Sequence, residues 1–269
     1  MTSGCNHDQL PADNEEGWHT VSAKDKKRVM RKKGKRKQNG VAHPTVASQT
    51  AVENVLEMEQ IVLTCRQALQ KTILYQEIRE TVIANTDSTE ILCLGVGNFS
   101  KTHAVYYSAS LWQLACLMQM RDDLEAKRKE EEDSTGSIEV HFYDPVSTNF
   151  EREFLQQKQI NVLRKDDQGK RKLKPRALAF LPHCPVILYE NLLQTNPRIL
   201  QANDSKVVLL GNSIRNFCNA LTLSADIPTL QERVDMVEEQ RLTVECGQPG
   251  DFDKAFNDTY IIRGKGKKC

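Results

Sequence analysis

The segment that most constrains the fold is residues 91–100, which read ILCLGVGNFS. Its apolar run ends at two glycines separated by one residue, Gly95 and Gly97, and an amphipathic segment follows. An apolar strand, a glycine turn and a helix start together form the first unit of a Rossmann-like sheet. The segment therefore predicts an α/β fold.

The same alternation of patterns continues along the chain. Further strands are predicted at residues 138–143, 160–163, 177–181, 207–210, 242–244 and 259–262. Strands that alternate with helices imply right-handed crossovers and a mostly parallel sheet. We therefore expect a Rossmann-like α/β domain with flanking helices, preceded by a disordered basic tail.

Helix starts are indicated by three segments of capping-box form, which begin at Thr50, Thr148 and Thr229. The first predicts a helix that reaches the low eighties, and the third a helix with Leu230, Val234 and Val237 on one face. A further helix is predicted from 105 to 118, with 121–133 as a solvated extension and loop. Residues 164–176 are strongly basic and are predicted to form a mobile loop.

Length and composition favour one domain with tails. The chain has 269 residues, of which 27% are charged and 39% apolar. We expect a disordered tail at 1–49, a domain at 50–262 with its motifs at 91–213, and a basic tail at 263–269. No apolar run reaches about 18 residues, so no membrane span is expected. The eight cysteines form no Cys-x-x-Cys pair, so neither a metal site nor a compact disulfide framework is expected.

The N-terminal tail contains a dense basic cluster at residues 24–37, where ten of fourteen residues are Lys or Arg. Such a cluster suits the acidic grooves of a nuclear import receptor or a nucleic-acid backbone, and a solvated tail is the alternative. The import hypothesis rests on Lys32, Lys33, Lys35, Arg36 and Lys37. It predicts protein in both cytoplasm and nucleus.

Polar residues follow several predicted strands, at the edge where parallel sheets bind ligands. These residues are Gly95, Gly97, Asn98, Asp144, His183, Cys184, Gly211, Asn212 and Ser213. In one hypothesis the glycines admit a nucleotide or S-adenosylmethionine and Asp144 binds its ribose, with Asn98 and Asn212 touching the ligand. In the alternative the glycines form the turn and Asp144 caps the next helix, while the two asparagines bond nearby loops.

His183 and Cys184 allow two further chemical hypotheses. Cys184 could act as a nucleophile with His183 as its base, although neighbouring strand residues point to opposite faces. Cys184 also precedes Pro185, and a cysteine thiolate is an established heme ligand. The alternative is a strand end broken by proline. The cofactor therefore stays open between heme, a nucleotide-type ligand and none.

Six motifs in order resemble the SRR-like domain family, which is named for "sensitivity to red light reduced". They are LGVGN (94–98), QLA (113–115), FYDP (142–145), LPHC (181–184), LYENLL (188–193) and LGNS (210–213). The chain departs from the family pattern at Asn196-Pro197 and at 260–262. These departures bring into question any family surface at those positions.

The resemblance implies a non-enzymatic regulator of heme biosynthesis and of circadian-clock gene expression, with unidentified protein partners. The first alternative is an enzyme that uses a nucleotide or S-adenosylmethionine in the crevice of Gly95, Gly97, Asn98 and Asp144. The second is a nucleic-acid-binding adaptor that works through the basic tail.

Overall fold

A computed structural model describes residues 52–102, 107–130, 137–197, 199, 206–220 and 227–265. The predicted N-terminal tail, including the basic cluster, lies outside the described residues. So do Thr50 and residues 266–269.

One seven-stranded sheet organises the described chain, in the order β3-β2-β1-β4-β5-β7-β6. The first five strands in this order are parallel, and β7 is antiparallel to both of its neighbours. The mostly parallel α/β prediction is confirmed. The strands are β1 (Glu90–Leu94), β2 (Glu139–Tyr143), β3 (Asn161–Val162), β4 (Ala177–Leu181), β5 (Val208–Gly211), β6 (Val237–Arg241) and β7 (Tyr260–Gly264).

Helices cover both faces of the sheet, because its central strands are apolar on both sides. Every residue of β1 and β4 is buried, as expected for parallel strands packed between helices. The helices are α1 (Val55–Leu69), α2 (Ile73–Ile78), α3 (Ala109–Glu130), α4 (Asn149–Gln157), α5 (Val186–Thr195), α6 (Ile214–Ala220), α7 (Pro228–Arg233) and α8 (Phe252–Phe256). One core cluster lies under α1 to α4 and α8, and the other under α5 to α7.

The helical predictions need three corrections. The first helix begins at Val55 behind Asn54, whose side chain accepts from the N–H groups of Leu56 and Glu57. It ends at Leu69, and α2 then starts behind Thr72 and continues as a π-helical turn, Arg79–Ile83. The helix α3 runs on to Glu130 instead of dissolving near residue 121.

The third correction concerns the region after Thr229. Thr229 lies inside α7, and its N–H bonds the buried carboxylate of Glu190 on α5. The predicted helix face ends early, since Val237 starts β6. The edge strand β6 has one buried residue, the apolar Val237, and the rest of it is polar. Since it lacks an alternating apolar pattern, its extended conformation depends on pairing with β7.

Two end assignments also differ from the prediction. Residues 242–244 form no strand. The strand in this part of the chain is β6, which ends directly before them at Arg241. The predicted C-terminal tail starts at Arg263, but Arg263 and Gly264 complete β7.

Candidate functional site at the carboxyl edge of the sheet

The glycine turn after β1 is shaped by the chain's own packing. Gly95 and Gly97 have φ values of 73° and 84°, a region that favours glycine. A Cβ at Gly95 would lie 2.6 Å from the Sγ of Cys184, and one at Gly97 would lie 2.6 Å from the Oγ of Ser110. Both glycines are therefore explained by internal contacts, with no ligand required.

Both carboxylate oxygens of Asp144 accept hydrogen bonds from the backbone around it. One carboxylate oxygen accepts from the N–H of Gly97 at 2.7 Å, and the other from the N–H of Val146 at 2.8 Å. The residue is buried, so this carboxylate fixes the end of β2 against the turn after β1. Asp144 does not cap the next helix. Thr148 and Glu151 perform that role in the capping box that the sequence predicts.

Glu151 also holds the loop after β1. Its Oε1 accepts from the N–H of Ser100 at 2.7 Å, while Oε2 accepts from the N–H of Thr148. Asn98 supports the same loop, since its side-chain oxygen accepts from the hydroxyl of Ser100 and the N–H of Lys101, both at 3.2 Å. This placement matches the alternative in which Asn98 bonds its own loop.

His183 and Cys184 lie in the turn after β4 but face different neighbours. His183 is exposed, has φ 51°, and places its Nε2 3.1 Å from the carbonyl oxygen of Ala255. Cys184 is buried, and its thiol donates to the carbonyl of Leu94 at 3.2 Å. Burial, with a smaller effect of Asp144, raises the pKa of the Cys184 thiol to about 12. A neutral, hydrogen-bonded thiol is not an activated nucleophile.

The hydroxyl of Tyr189 joins the ends of β4 and β5. It donates to the carbonyl of Leu181 and accepts from the N–H of Asn212, both at 2.7 Å. The side-chain amide of Asn212 donates in turn to a carboxylate oxygen of Asp258 at 3.1 Å. Asn212 is thus engaged in holding the strand ends together.

Ser213 and Gly211 complete this edge. Gly211 ends β5 in register with Leu181 of β4 and Tyr260 of β7. The hydroxyl of Ser213 donates to Glu239 at 2.6 Å and accepts from the N–H of Asn216. The structure therefore brings the predicted polar residues to one edge of the sheet, where they bond to the chain itself.

Two polar groups beside this edge lack a partner among the described residues. They are the hydroxyl of Ser147 and the Nε of Arg152, both buried atoms. Ser147 precedes the N-cap Thr148, and Arg152 is the fourth residue of α4.

A second polar cluster lies on the sheet face that α5 covers, nearer the amino ends of the strands. The buried His141 of β2 places Nε2 2.9 Å from a carboxylate oxygen of Glu139 and 3.3 Å from one of Glu90. Its Nδ1 lies 3.0 Å from the amide nitrogen of Asn161. Because that amide can only donate, Nδ1 is bare and the proton sits on Nε2. Burial and then Arg171 lower the pKa of His141, against the opposite effect of the two carboxylates.

Three cavities among the described residues lie away from the predicted crevice. Their volumes are about 720, 840 and 380 Å³. The first and third open near the amino ends of β2 and β5, and the second lies between α3 and the helical segment from Gln76 to Ala84. The described residues contain no group of three or more His, Cys, Asp or Glu arranged to hold a metal. Within the same residues, no helix has the length and apolar character needed to cross a bilayer.

A model of one protein family, described as the SRR1 domain, matches residues 65–263, well over half of the chain. The chain belongs to the SRR1 domain family. It is 29% identical over 182 residues to the Arabidopsis thaliana "Protein SENSITIVITY TO RED LIGHT REDUCED 1", covering 66% of this chain and 59% of that protein.

Two animal relatives of the SRR1 domain show similar identity. An SRR1-like protein of Drosophila melanogaster is 31% identical over 107 residues, which cover 39% of this chain and 33% of that protein. An SRR1-like protein of Mus musculus is 25% identical over 138 residues, covering 51% and 49%. The chain thus spans between a third and three fifths of the length of these relatives.

Sequence reasoning missed two residues that organise this SRR1 domain, Tyr189 and Glu190. Both carry buried polar groups, and Glu190 accepts from the N–H groups of Thr229 and Leu230 at the start of α7. The sequence signal for these two residues was the presence of a tyrosine and a glutamate in the otherwise largely apolar motif LYENLL. Their partners are about 23 and 40 residues away, a distance that local pattern cannot bridge.

Proposed function

We propose that this chain is a non-enzymatic regulatory protein that acts in the control of heme biosynthesis and of circadian-clock gene expression, in both cytoplasm and nucleus. Membership of the SRR1 domain family is the observation that carries this proposal. The name of the Arabidopsis relative refers to a reduced response to red light, which agrees with a role in signalling.

The geometry of the carboxyl edge supports a role without catalysis. A catalytic carboxylate or thiol must be free to meet a substrate and must have a suitable pKa. Asp144 instead accepts two backbone hydrogen bonds, and the thiol of Cys184 is buried against Leu94. Regulation by contact with partners needs neither group to be reactive.

The experiment that tests this role removes the chain from cultured cells that carry a clock-gene luciferase reporter. Loss of the chain should change the period or amplitude of the reporter and should change total cellular heme. Re-expression of the wild type should restore both. A reporter and a heme level that both stay unchanged would contradict the proposed role.

A second candidate function is an enzyme that uses a nucleotide or S-adenosylmethionine. The observation that favours it is the strand order. Strands are added on one side of β1 up to β3 and on its other side from β4 onwards, and ligands bind at such switch points in doubly wound sheets. The unpartnered groups of Ser147 and Arg152 lie beside that edge and could bond a polar ligand.

Thermal unfolding of the wild-type chain with each ligand tests this candidate. A ligand that binds the folded state at a concentration 100 times its Kd stabilises it by about 2.7 kcal/mol, which moves the melting temperature by several degrees. Asp144→Asn is a poor variant here, because it also weakens the turn after β1. Ser147→Ala and Arg152→Gln are better, since neither the hydroxyl of Ser147 nor the Nε of Arg152 has a described hydrogen-bond partner to lose. An unchanged melting temperature at millimolar ligand would exclude this candidate.

A further inference from the structure

The connection from β3 to β4 is unusual for a parallel sheet, because it contains no helix. Residues 163–176 are all described, and they cross from β3 to β4 as irregular chain. We name residues 164–176 the basic loop. It covers the polar cluster of Glu90, Glu139 and His141, and its Leu173 packs with the core under α5.

The basic loop is fixed to the domain at several points, in contrast to the mobile loop that the sequence predicts. The side chain of Asn196 bonds both the carbonyl of Arg171 at 2.7 Å and the N–H of Leu173 at 2.9 Å. Asn191 donates to the carbonyl of Gln168 at 2.8 Å. The buried Glu90 accepts from the N–H of Lys174 at 2.7 Å.

The two acidic residues of the basic loop are used to shape its turn. Asp166 accepts from the N–H of Gln168 at 2.8 Å, and Asp167 accepts from the N–H of Gly169 at 3.1 Å. Neither carboxylate forms an ion pair with a described residue. The loop therefore has a defined backbone, and its carboxylates do not neutralise its cations by direct contact.

Most of the cations of this loop are left without a partner. It contains seven Lys or Arg and two Asp, a net charge of +5. Lys174 pairs with Glu139, and Arg176 pairs with Asp87. The other exposed cations have no ion pair or side-chain hydrogen bond to any described residue; they are Arg164, Lys165, Lys170 and Lys172. The Nε of Arg171 is buried and equally unpartnered.

This charge stands out against the rest of the domain. Outside the basic loop, residues 51–269 contain twenty Lys or Arg and twenty-nine Asp or Glu, a net charge of −9. Clustered like charges repel one another and oppose folding. The chain nevertheless fixes the backbone of the loop that carries them, by bonds from Asn191, Asn196 and Glu90. A preorganised cationic surface of this kind lowers the entropic cost of binding an anionic partner.

We propose that the basic loop is a docking surface for a short acidic segment of a partner protein. A short segment touches only the loop, whereas a long nucleic acid would also meet the negative field of the surrounding domain. The loop contains no aromatic residue on which a base could stack. This inference does not depend on the clock or heme role.

The test measures binding of a fluorescein-labelled peptide of eight glutamates by fluorescence anisotropy, with the full-length chain at low salt. The variant K165Q/K170Q/K172Q should weaken binding about tenfold, since three exposed ion pairs are lost. The matched control K71Q/K101Q/K129Q removes the same charge from exposed sites elsewhere and should change the affinity less than about twofold.

The N-terminal basic cluster could also bind this peptide, so the comparison is repeated with Lys32, Lys33, Lys35, Arg36 and Lys37 all replaced by Ala. The loop variant should weaken binding by a similar factor in this background. Equal affinities for the loop variant and its control would overturn the proposal. A 12-base-pair duplex that binds more tightly than the peptide and displaces it would also overturn it, in favour of a nucleic-acid surface.

Discussion

At the scale of single residues, the hypothesis of a heme ligand depends on the thiol of Cys184. A pKa of about 12 leaves about one thiol in 10⁵ ionised at pH 7, and only the thiolate is a good ligand for ferric iron. The thiol is also buried against the carbonyl of Leu94. We therefore expect ferric heme to give the same Soret spectrum and the same affinity with the wild type and with Cys184→Ala. A Soret band that is lost in the variant would show that Cys184 moves and binds iron.

His141 provides a second prediction at this scale, which concerns pH. Its pKa in the folded state lies below its usual value of about 6.5, so the unfolded chain takes up the proton first as the pH falls. The contribution of neutral His141 to stability is complete above about pH 6.5 and is lost as the pH falls towards the folded pKa. Five polar or charged groups, from three strands and the basic loop, face the imidazole of His141: Glu90, Glu139, Asn161, Arg171 and Lys174.

The measurement is urea unfolding of the wild type and of His141→Gln at several pH values between 5.5 and 7.5. The wild type should lose more stability than the variant over this range, although the variant is less stable at pH 7.5. Parallel curves for the two proteins would assign the pH dependence to other groups.

At the scale of elements, the basic loop should lose its order when its anchors are removed. Asn196→Ala deletes the bonds to Arg171 and Leu173 together with one to the carbonyl of Leu192. Each such bond contributes about 0.5–1.5 kcal/mol. Amide hydrogen exchange should become faster in residues 164–176 and stay the same in β1 and β4. Asn257→Ala, at the end of α8, serves as a control outside the loop.

Elements also show how far the sequence could predict this structure. Apolar runs identified β1, β4 and β5, because burial on both faces leaves a continuous hydrophobic signature. The strand β6 reads VEEQR and was missed, because pairing with β7 is a contact that local pattern does not record. At the site, the position of Asp144 was predictable, but its acceptance from the N–H of Gly97 was not, since it depends on how two loops meet.

At the scale of the whole molecule, the basic cluster of the N-terminal tail predicts distribution between cytoplasm and nucleus. Ten cations in fourteen residues suit an import receptor. Replacing Lys32, Lys33, Lys35, Arg36 and Lys37 with Ala should reduce the nuclear fraction of a fluorescently tagged chain. K71Q/K101Q/K129Q in the domain should leave the distribution unchanged. An unaltered nuclear fraction in the tail variant would contradict the import hypothesis.

The position of β7 has a consequence for synthesis of the chain. Among the strands of the described residues, Tyr260–Gly264 leaves the ribosome after the other six, yet it lies between β5 and β6. Until it emerges, the apolar β5 (Val208–Gly211) has one open edge and β6 has no neighbour in the sheet. Open apolar edges pair with other chains, so we expect the nascent domain to need chaperones until Tyr260–Gly264 has emerged. A stop codon shortly before Tyr260 should therefore yield an aggregated product even though most of the domain has been made.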